Sequence, residues 1–532
     1  MGDVASVGGE RIRTAEVIAA TCLATDLGMG FPFEHGLHAT LMAMRLAELL
    51  EVDRQQRLQT YYASQLAYAG CTTYSDVSVR IFAGERTRHI VPVAYGSPLQ
   101  QFRGVIRALP PPDRAPYQRG VEVLTRLPQA ARHTKPYFAA FCEVAAMLAE
   151  RLGLPGEVSG LFGHLTERWN GKSVLRRAKG EEIPVALRIV HVARDAAYQR
   201  LIGGDQHAVD VVGERAGEAL DPAIAHRFVR EAQAVLGAAD TSGSVWEATL
   251  AAEPHPWPTL EGAAIDRALA AMGSFADLAS PYLSGHSSGV AGLAAAAAEL
   301  SGLDPAAVAT VRRAGLLHDV GRAGVDPRVW QKAGALSADD WEQVRLHPYH
   351  TERVFARAPV LASLAGIAGC HHERLDASGY HRGLTAVALP PAARLLAAAD
   401  AFHAMTEPRP HRAPLPRAEA AGMLADDADA GRHDPDVVAA LLEAAGEPTP
   451  EIARPAGLTD RETQVLGLLA RGLLTKQVAR ELRISPKTAD RHIQNAYHKI
   501  GVSTRAGATL FAVEHGLVAW GELPIPGRSR PR

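Results

Sequence analysis

A chain of 532 residues is too long for one hydrophobic core and calls for about three or four domains. Its 47% apolar and 21% charged residues suit a folded globular protein, and a net charge of −2 confines any nucleic-acid surface to a local patch. Four scattered cysteines (Cys22, Cys71, Cys142 and Cys370) argue against a disulfide framework or a zinc knuckle, and the sequence has neither a membrane-length apolar run nor a signal-type leader, so a reduced, cytoplasmic setting without membrane contact is expected.

Almost every periodic stretch reads as helix. Segments such as Gly289 to Leu300 and Ala306 to Leu317 carry apolar residues at i, i+3, i+4 spacing, with little alternation of period two. An all-α fold follows. Pro and Gly clusters break it at Leu109–Pro112, at Glu253–Pro258 and at Glu447–Pro455. The helical part also repeats itself. Glu167-Arg168-Trp169-Asn170 and Glu373-Arg374-Leu375-Asp376 each begin a stretch in which a Pro (Pro184, Pro390) follows the Glu by 17 residues and precedes a helix with Arg188 or Arg394. Upstream, His35 precedes Ala67 by 32 residues, as His286 precedes His318. Two tandem copies of one helical domain are expected, at 15–235 and 260–445.

The second copy is rich in metal-ligand chemistry. His286, His318-Asp319, His347, His371-His372 and Asp400 fall on or near separate helices. Imidazole and carboxylate suit Fe, Mn or Zn. A carboxylate beside a histidine can bridge two ions, and two ions about 3.5–4 Å apart can activate water and stabilise the leaving oxygen of a phosphodiester. A lone buried histidine is ordinary core; a set of five with two aspartates is not.

From about Phe275 to Met405 these residues, with Asp277, Gly285-His286-Ser287, Leu317 to Arg322, His347-Pro348, His371 to Asp376, Gly379-Tyr380 and Ala399 to Phe402, resemble the HD-GYP family of metal-dependent phosphohydrolases, which act on cyclic dinucleotides, mainly cyclic di-GMP. The resemblance implies two divalent ions, iron or manganese ahead of zinc or magnesium. One would take His286, His318, Asp319 and Asp400, the other Asp319, His347, His371 and His372. It also implies catalytic roles for Asp319 and Arg322 and substrate contacts from Arg322, Asp376, Gly379 and Tyr380. The sequence departs from the family at Arg322 (Lys in the family), Ala377 (Gly), His381 (the Pro of GYP) and Tyr282 (Glu where a third metal binds). A trinuclear site is therefore not expected, and the altered loop bears on which nucleotide is taken.

Aligned with the second copy, the first sets Ala67-Tyr68 against His318-Asp319, Leu165-Thr166 against His371-His372, and Arg194 against Asp400. Only His35 survives, and no counterpart of His347 is found between about 75 and 140. This degenerate copy is open to packing, dimer-contact or ligand-sensing roles.

Residues 446–456 read as a linker to a module at 457–520. Thr459 and Glu462 form a Thr-x-x-Glu capping box, so a helix is expected at Asp460–Ala470. A second follows at about Lys476–Leu482. A third begins with Ser485 as N-cap and Pro486 as first helical residue and runs to about Ile500; Thr504 caps a fourth. Val465, Leu468, Leu469, Val478, Leu482, Ile493 and Ile500 form the expected core, and Lys476, Arg480, Lys487, Arg491, Lys499 and Arg505 a basic surface for phosphate. The dense pattern from Leu458-Thr459 to Gly501-Val502 closely resembles the LuxR-type helix-turn-helix DNA-binding domain. That resemblance implies base-edge contacts from Lys487, Ala489, Arg491 and His492, and phosphate contacts from Ser485, Thr488, Asn495 and Lys499; Lys476 joins the DNA-binding set from the basic surface. It also implies double-stranded DNA as partner and a homodimer.

The leading expectation is a transcription regulator with a cyclic-dinucleotide phosphodiesterase domain. Two alternatives stay open: a regulator whose HD-GYP-like domain senses a nucleotide without turnover, and a phosphohydrolase acting on another phosphorylated substrate.

Overall fold

Cap residues and Ala-rich periodicity produce helices along most of the chain in the computed structural model, which describes residues 11–71, 82, 89–111, 115–448, 455–515 and 517–518. Helix α1 (Thr14–Met29) stops at Gly30, whose φ of 66° suits glycine. Next come α2 (His35–Leu49), α3 (Arg54–Gln65), α4 (Pro98–Ala108) and the long α5 (Pro116–Arg151). Helix α6 (Val185–Glu214) is broken at Gly204, and α7 (Pro222–Arg230) is capped by Asp221. Met42 and Leu46 of α2, Ile189 and Val192 of α6 and Phe228 of α7 form one core. Phe228 is fully buried there, which contributes about 1.5–3 kcal/mol.

The chain continues with α8 (Ala263–Asp277), α9 (His286–Leu300), α10 (Pro305–Leu317), α11 (Ala338–Phe355), α12 (Pro359–Ala368), α13 (Pro391–Thr406), α14 (Arg417–Asp429) and α15 (Pro435–Ala445). By contacts the chain forms two units, residues 1–289, 313–369 and 408–413 in one, 290–312, 370–407 and 414–532 in the other. In the first, α11 packs on α12 and on the turn Val320–Gly324, which also meets α1; in the second, α13, α14 and α15 pack on one another.

Several long-range hydrogen bonds occur twice. The carboxylate of Asp26 accepts from Gly36 N (3.1 Å to each oxygen) and that of Asp277 from Ser287 N (3.3 and 3.1 Å). Arg188 donates to Ile183 O and Asp221, and Arg394 to Leu389 O and Asp434. Trp169 N donates to Ala219 O and Leu375 N to Arg432 O, both at 3.0 Å.

One feature amends the all-α expectation. Strands β1 (Arg11–Arg13) and β2 (Thr259–Glu261) pair antiparallel with Ile12 opposite Leu260. Three-residue strands 248 residues apart leave no periodicity to read. The linker at 446–456 lies largely outside the described residues, whereas α16 (Asp460–Ala470), α17 (Thr475–Glu481), α18 (Pro486–Lys499) and α19 (Arg505–Glu514) begin at the expected caps Thr459, Ser485 and Thr504 or next to the expected start. All seven expected core residues of this module belong to its two apolar clusters.

Candidate metal centre and nucleic-acid interface

His286 is the first residue of α9. Two anchors set it there: Gly285, with φ of 82°, and the buried Asp277, whose carboxylate also accepts from Ser287 Oγ at 2.7 Å. Burial pushes the Asp277 carboxyl up, and the Ser287 hydrogen bond opposes that shift. His318 follows α10, and its Nδ1 lies 2.7 Å from Gly315 O. His347 on α11 repeats the device, with Nδ1 2.6 Å from Val344 O. Each Nδ1 can donate only if it carries the proton, which leaves Nε2 as a ligand atom facing inward.

Between them sits Asp319, 1% exposed. Its Oδ2 is 3.3 Å from His286 Nε2, 3.1 Å from His318 Nε2 and 2.7 Å from Arg322 Nη1, whereas Oδ1 is 3.3 Å from His347 Nε2. The two oxygens thus face different histidines, as a bridging carboxylate requires. Burial opposes its ionisation, yet the Arg322 guanidinium and His318 hold the carboxyl well below the usual range.

The rings of His371 and His372 are 4.2 Å apart, and His372 Nδ1 is 3.6 Å from Asp400 Oδ2. Ligand atoms of His286, His318 and Asp400 all lie within 4.8 Å of one another; so do those of His347, His371 and His372, and those of His318, Asp319 and His371. Two ligands bound about 2.0–2.2 Å from one ion stand at most ~4.4 Å apart, so small side-chain adjustments suffice. The donors are imidazole and carboxylate, a set that fits divalent metal.

The residues expected to contact substrate behave differently from one another. Arg322 is buried against Asp319 and lies 5.1 Å from the Trp330 ring centroid, and Trp330 in turn packs edge-on to His347. Asp376 is exposed and accepts from Ser378 N (3.0 Å) and Oγ (2.6 Å), the hydroxyl bond holding its carboxyl below the usual range. Tyr380 N donates to His372 O at 3.1 Å, with the two rings 4.6 Å apart. Gly379 admits no side chain: a Cβ there would stand 2.5 Å from His372 O and Glu373 Cα.

Thr351, His403 and Glu407 escaped sequence reasoning, and Gly321 and Glu373 were read only as parts of the repeat and the resemblance. Thr351 Oγ1 accepts from Gly321 N (2.9 Å) and donates to His318 O (2.8 Å), which ties α11 to the His318-Asp319 turn. Gly321 permits that contact, since a Cβ would fall 2.0 Å from His347 O. Buried Glu373 accepts from Arg382 N and Leu384 N, both at 2.8 Å, and pins the loop that carries Tyr380. His403 and Glu407, at i and i+4 and 3.2 Å apart, form a further donor group with His286. Their spacing was the only available signal.

In the 15–235 stretch the aligned positions hold no such set. Arg194 lies 3.9 Å from the centroid of the Tyr68 ring. His35 is buried, and burial followed by His38 and Arg194 pushes its pKa down to about 4. Among the described residues, the groups that could hold a metal all draw on positions 286–407.

Residues 271–437 match the HD domain family and residues 456–512 the bacterial regulatory proteins of the luxR family. The chain joins an HD-type, metal-binding phosphodiesterase domain to a LuxR-type DNA-binding domain. It is 26% identical over 448 residues to 3'3'-cGAMP-specific phosphodiesterase 3 of Vibrio cholerae, covering 82% of this chain and 96% of that one. With a cyclic di-GMP phosphodiesterase of Thermotoga maritima it shares 34% identity over 160 residues, 30% of this chain and less than half (43%) of the relative. A crystal structure of a cyclic GMP-AMP specific phosphodiesterase of V. cholerae (V-cGAP3) superposes with a TM-score of 0.57 at 22% identity, covering 82% of this chain and 98% of that one, which shows a shared fold.

In the DNA-binding domain, α18 divides cleanly. Ala489, Ile493 and Ala496 point into the core, and Lys487, Asp490, Arg491, Gln494, Asn495 and His498 are exposed. The expectation for Ala489 is corrected: it is 0% exposed and packs with Val465, Leu469 and Val478, so it cannot meet a base edge. Lys499 is exposed, and its Nζ donates to Gly457 O (2.8 Å) and to the capping-box Glu462 (2.7 Å). Ser485 Oγ accepts from Thr488 N as the N-cap, with the Thr488 hydroxyl 2.8 Å away. Lys476 is exposed on α17, and His492 is half-buried. Gln494 and His498 share the exposed face of Lys487 and Arg491 at helical spacing, a signal the sequence contained.

Proposed function

We propose that the chain is a cytoplasmic transcription regulator in which metal-dependent hydrolysis of a cyclic dinucleotide at the HD-type site sets DNA binding by the LuxR-type domain. The two-sided arrangement around Asp319 carries this reading: Oδ2 faces His286 and His318, and Oδ1 faces His347. His286, His318, Asp319 and Asp400 would hold one divalent ion, and Asp319, His347, His371 and His372 the other, iron or manganese by ligand type. Bound there, the ions would supply an activated water and charge for the leaving oxygen. Around them, Arg322 and Tyr380 would contact the nucleotide's phosphate and base, and Glu373 would keep the Tyr380 loop in place.

The substrate is a cyclic dinucleotide. Cyclic di-GMP is the family's usual one, and the long match to a 3'3'-cGAMP-specific enzyme favours the mixed guanine–adenine form. The doubled hydrogen bonds support reading 15–235 as a degenerate copy of 260–445. At the output end, Lys487, Arg491, Asn495 and His492 of α18 would face DNA, with Lys476, Ser485 and Thr488 at phosphates, in a homodimer. No helix among the described residues is long and apolar enough to cross a membrane.

Purified protein reconstituted with Mn or Fe should hydrolyse 3'3'-cGAMP or cyclic di-GMP, and His318→Ala with Asp319→Ala should abolish it. Inactivity with both metals and both nucleotides, alongside DNA binding that a nucleotide still shifts, would replace turnover by sensing.

A further inference from the structure

The 15–235 stretch contains a cavity of about 290 Å³. That is close to the lower end of the ~300–1,000 Å³ range of small-molecule pockets. Tyr68, Leu165, Thr166 and Arg194, the residues aligned with Asp319, His371, His372 and Asp400, all line it. A change of four ligand positions has thus emptied the place of metal donors and left a chamber with a different chemistry.

Most of its wall is apolar or aromatic, with Tyr137, Phe138 and Phe141 of α5 facing Val91, Val93 and Val105. The charge in the wall is positive: Arg168, Lys172 and Arg194 line it. Its one lining carboxylate, Asp195, stands 2.5 Å from Arg215, a partner outside the lining set. Arg168 donates to the carbonyls of Ala94 (3.2 Å) and Gly96 (2.7 Å), which shapes the wall. Arg194 is 8% exposed and lies over Tyr68, and a guanidinium over a ring can still present its edge to a carboxylate. Its histidine neighbours add no charge at neutral pH, because burial, with Arg194 behind it, pushes His191 to about 3 and His35 to about 4.

We propose that this cavity binds a small amphipathic monocarboxylate, with the head group at Arg194 and the apolar body among Tyr137, Phe138 and Phe141. Burial of the tail supplies affinity roughly in proportion to its apolar area, and the buried guanidinium selects acid over alcohol. The inference stands on the cavity's own lining and needs neither turnover nor metal in the HD-type site.

Isothermal titration of the full chain with decanoate and with decan-1-ol tests it. Decanoate should bind with one site per chain, and decanol about tenfold more weakly, the usual difference for a charge-assisted contact. Arg194→Gln should weaken decanoate about tenfold and leave decanol within about twofold, which removes the preference for the acid. Thr134→Trp, which fills the cavity from α5, should abolish both. Circular dichroism and the thermal transition of each variant report that the chain is folded. Absence of decanoate binding to the wild-type chain would overturn the proposal, as would equal decanoate affinity in folded Arg194→Gln or folded Thr134→Trp.

Discussion

Where the 260–445 stretch sets Asp319 among three histidines and Arg322, the 15–235 stretch sets Tyr68 beneath Arg194. The surroundings of these two sites are built alike. Asp26 and Asp277 each hold the amide at the start of a helix, and Arg188 and Arg394 each bridge a carbonyl five residues back and an aspartate beyond. Glu167 accepts from Arg177 N and the Ser173 hydroxyl, and Glu373 from Arg382 N and Leu384 N, each in the loop that follows. None of these carboxylates or guanidiniums is a proposed metal ligand. The comparison therefore separates two kinds of buried polar group: those that hold the helices together, which recur, and those that would hold metal, which do not. On the proposed reading of 15–235 as a degenerate copy, the first kind is kept and the second is lost, and Tyr68 and Arg194 line a cavity in its place. Tyr68 and Glu167 are 99 residues apart and Asp319 and Glu373 54; α4 and α5 lie in the first interval, α11 and α12 in the second.

If that separation is right, the glutamates should act alike on stability and differently on chemistry. Glu373→Ala and Glu167→Ala each leave donors, mostly part-buried, without an acceptor, and each should cost about 1–3 kcal/mol. Thermal scans of the full chain would register both as a lowered transition. Only Glu373→Ala should also raise KM for the cyclic dinucleotide, because only its loop carries the Tyr380 that stacks near His372. An equal rise in KM for the two variants would break the comparison.

Thr351 sharpens the same contrast on a smaller scale. Thr351→Val keeps the shape but removes both the acceptor for Gly321 N and the donor to His318 O. Groups that orient a ligand without touching the metal are commonly worth about 10–100-fold in metal affinity, and the lower end is expected here, as the backbone of the turn is also held by α1. Chelator competition with Mn would measure it. Unchanged metal affinity would mean that His318 is positioned by its Gly315 contact alone.

How much of this was legible beforehand follows from the range of the interactions. The DNA-binding helices could be placed from their caps, because a Thr-x-x-Glu box or a Ser-Pro start acts within one turn. The seven metal-donor candidates could be named because histidine and aspartate are rare in such density. Ala489 was misjudged because its position beside the basic residues suggested exposure, whereas the stripe it shares with Ile493 and Ala496 faces the core. The ion pair of Lys499 left no local signal because its acceptor, Glu462, lies 37 residues away. Thr351 and Glu373 bind backbone groups across loops, and a backbone partner leaves no mark on the sequence.

The smallest expected effect comes from one backbone position that both stretches share. Gly171 has φ of 71° and Ala377 φ of 64°, and the amide of each donates to the carbonyl three residues earlier, of Arg168 (2.9 Å) and Arg374 (3.1 Å). The left-handed turn is thus kept in both, but the residue that tolerates it is kept only in the first. An L side chain in this region costs roughly 1–2 kcal/mol, partly offset because glycine loses about 0.5–1 kcal/mol more chain entropy on folding. Ala377→Gly should therefore stabilise the chain by roughly 0.5–1 kcal/mol. Gly171→Ala should destabilise it by somewhat more, since its new Cβ would also stand 3.0 Å from Lys179 Cβ. Opposite signs in paired thermal scans are the expected result. A loss on Ala377→Gly would mean that the methyl makes a contact that outweighs the strain, and that the turn beside His372 is held by more than its backbone.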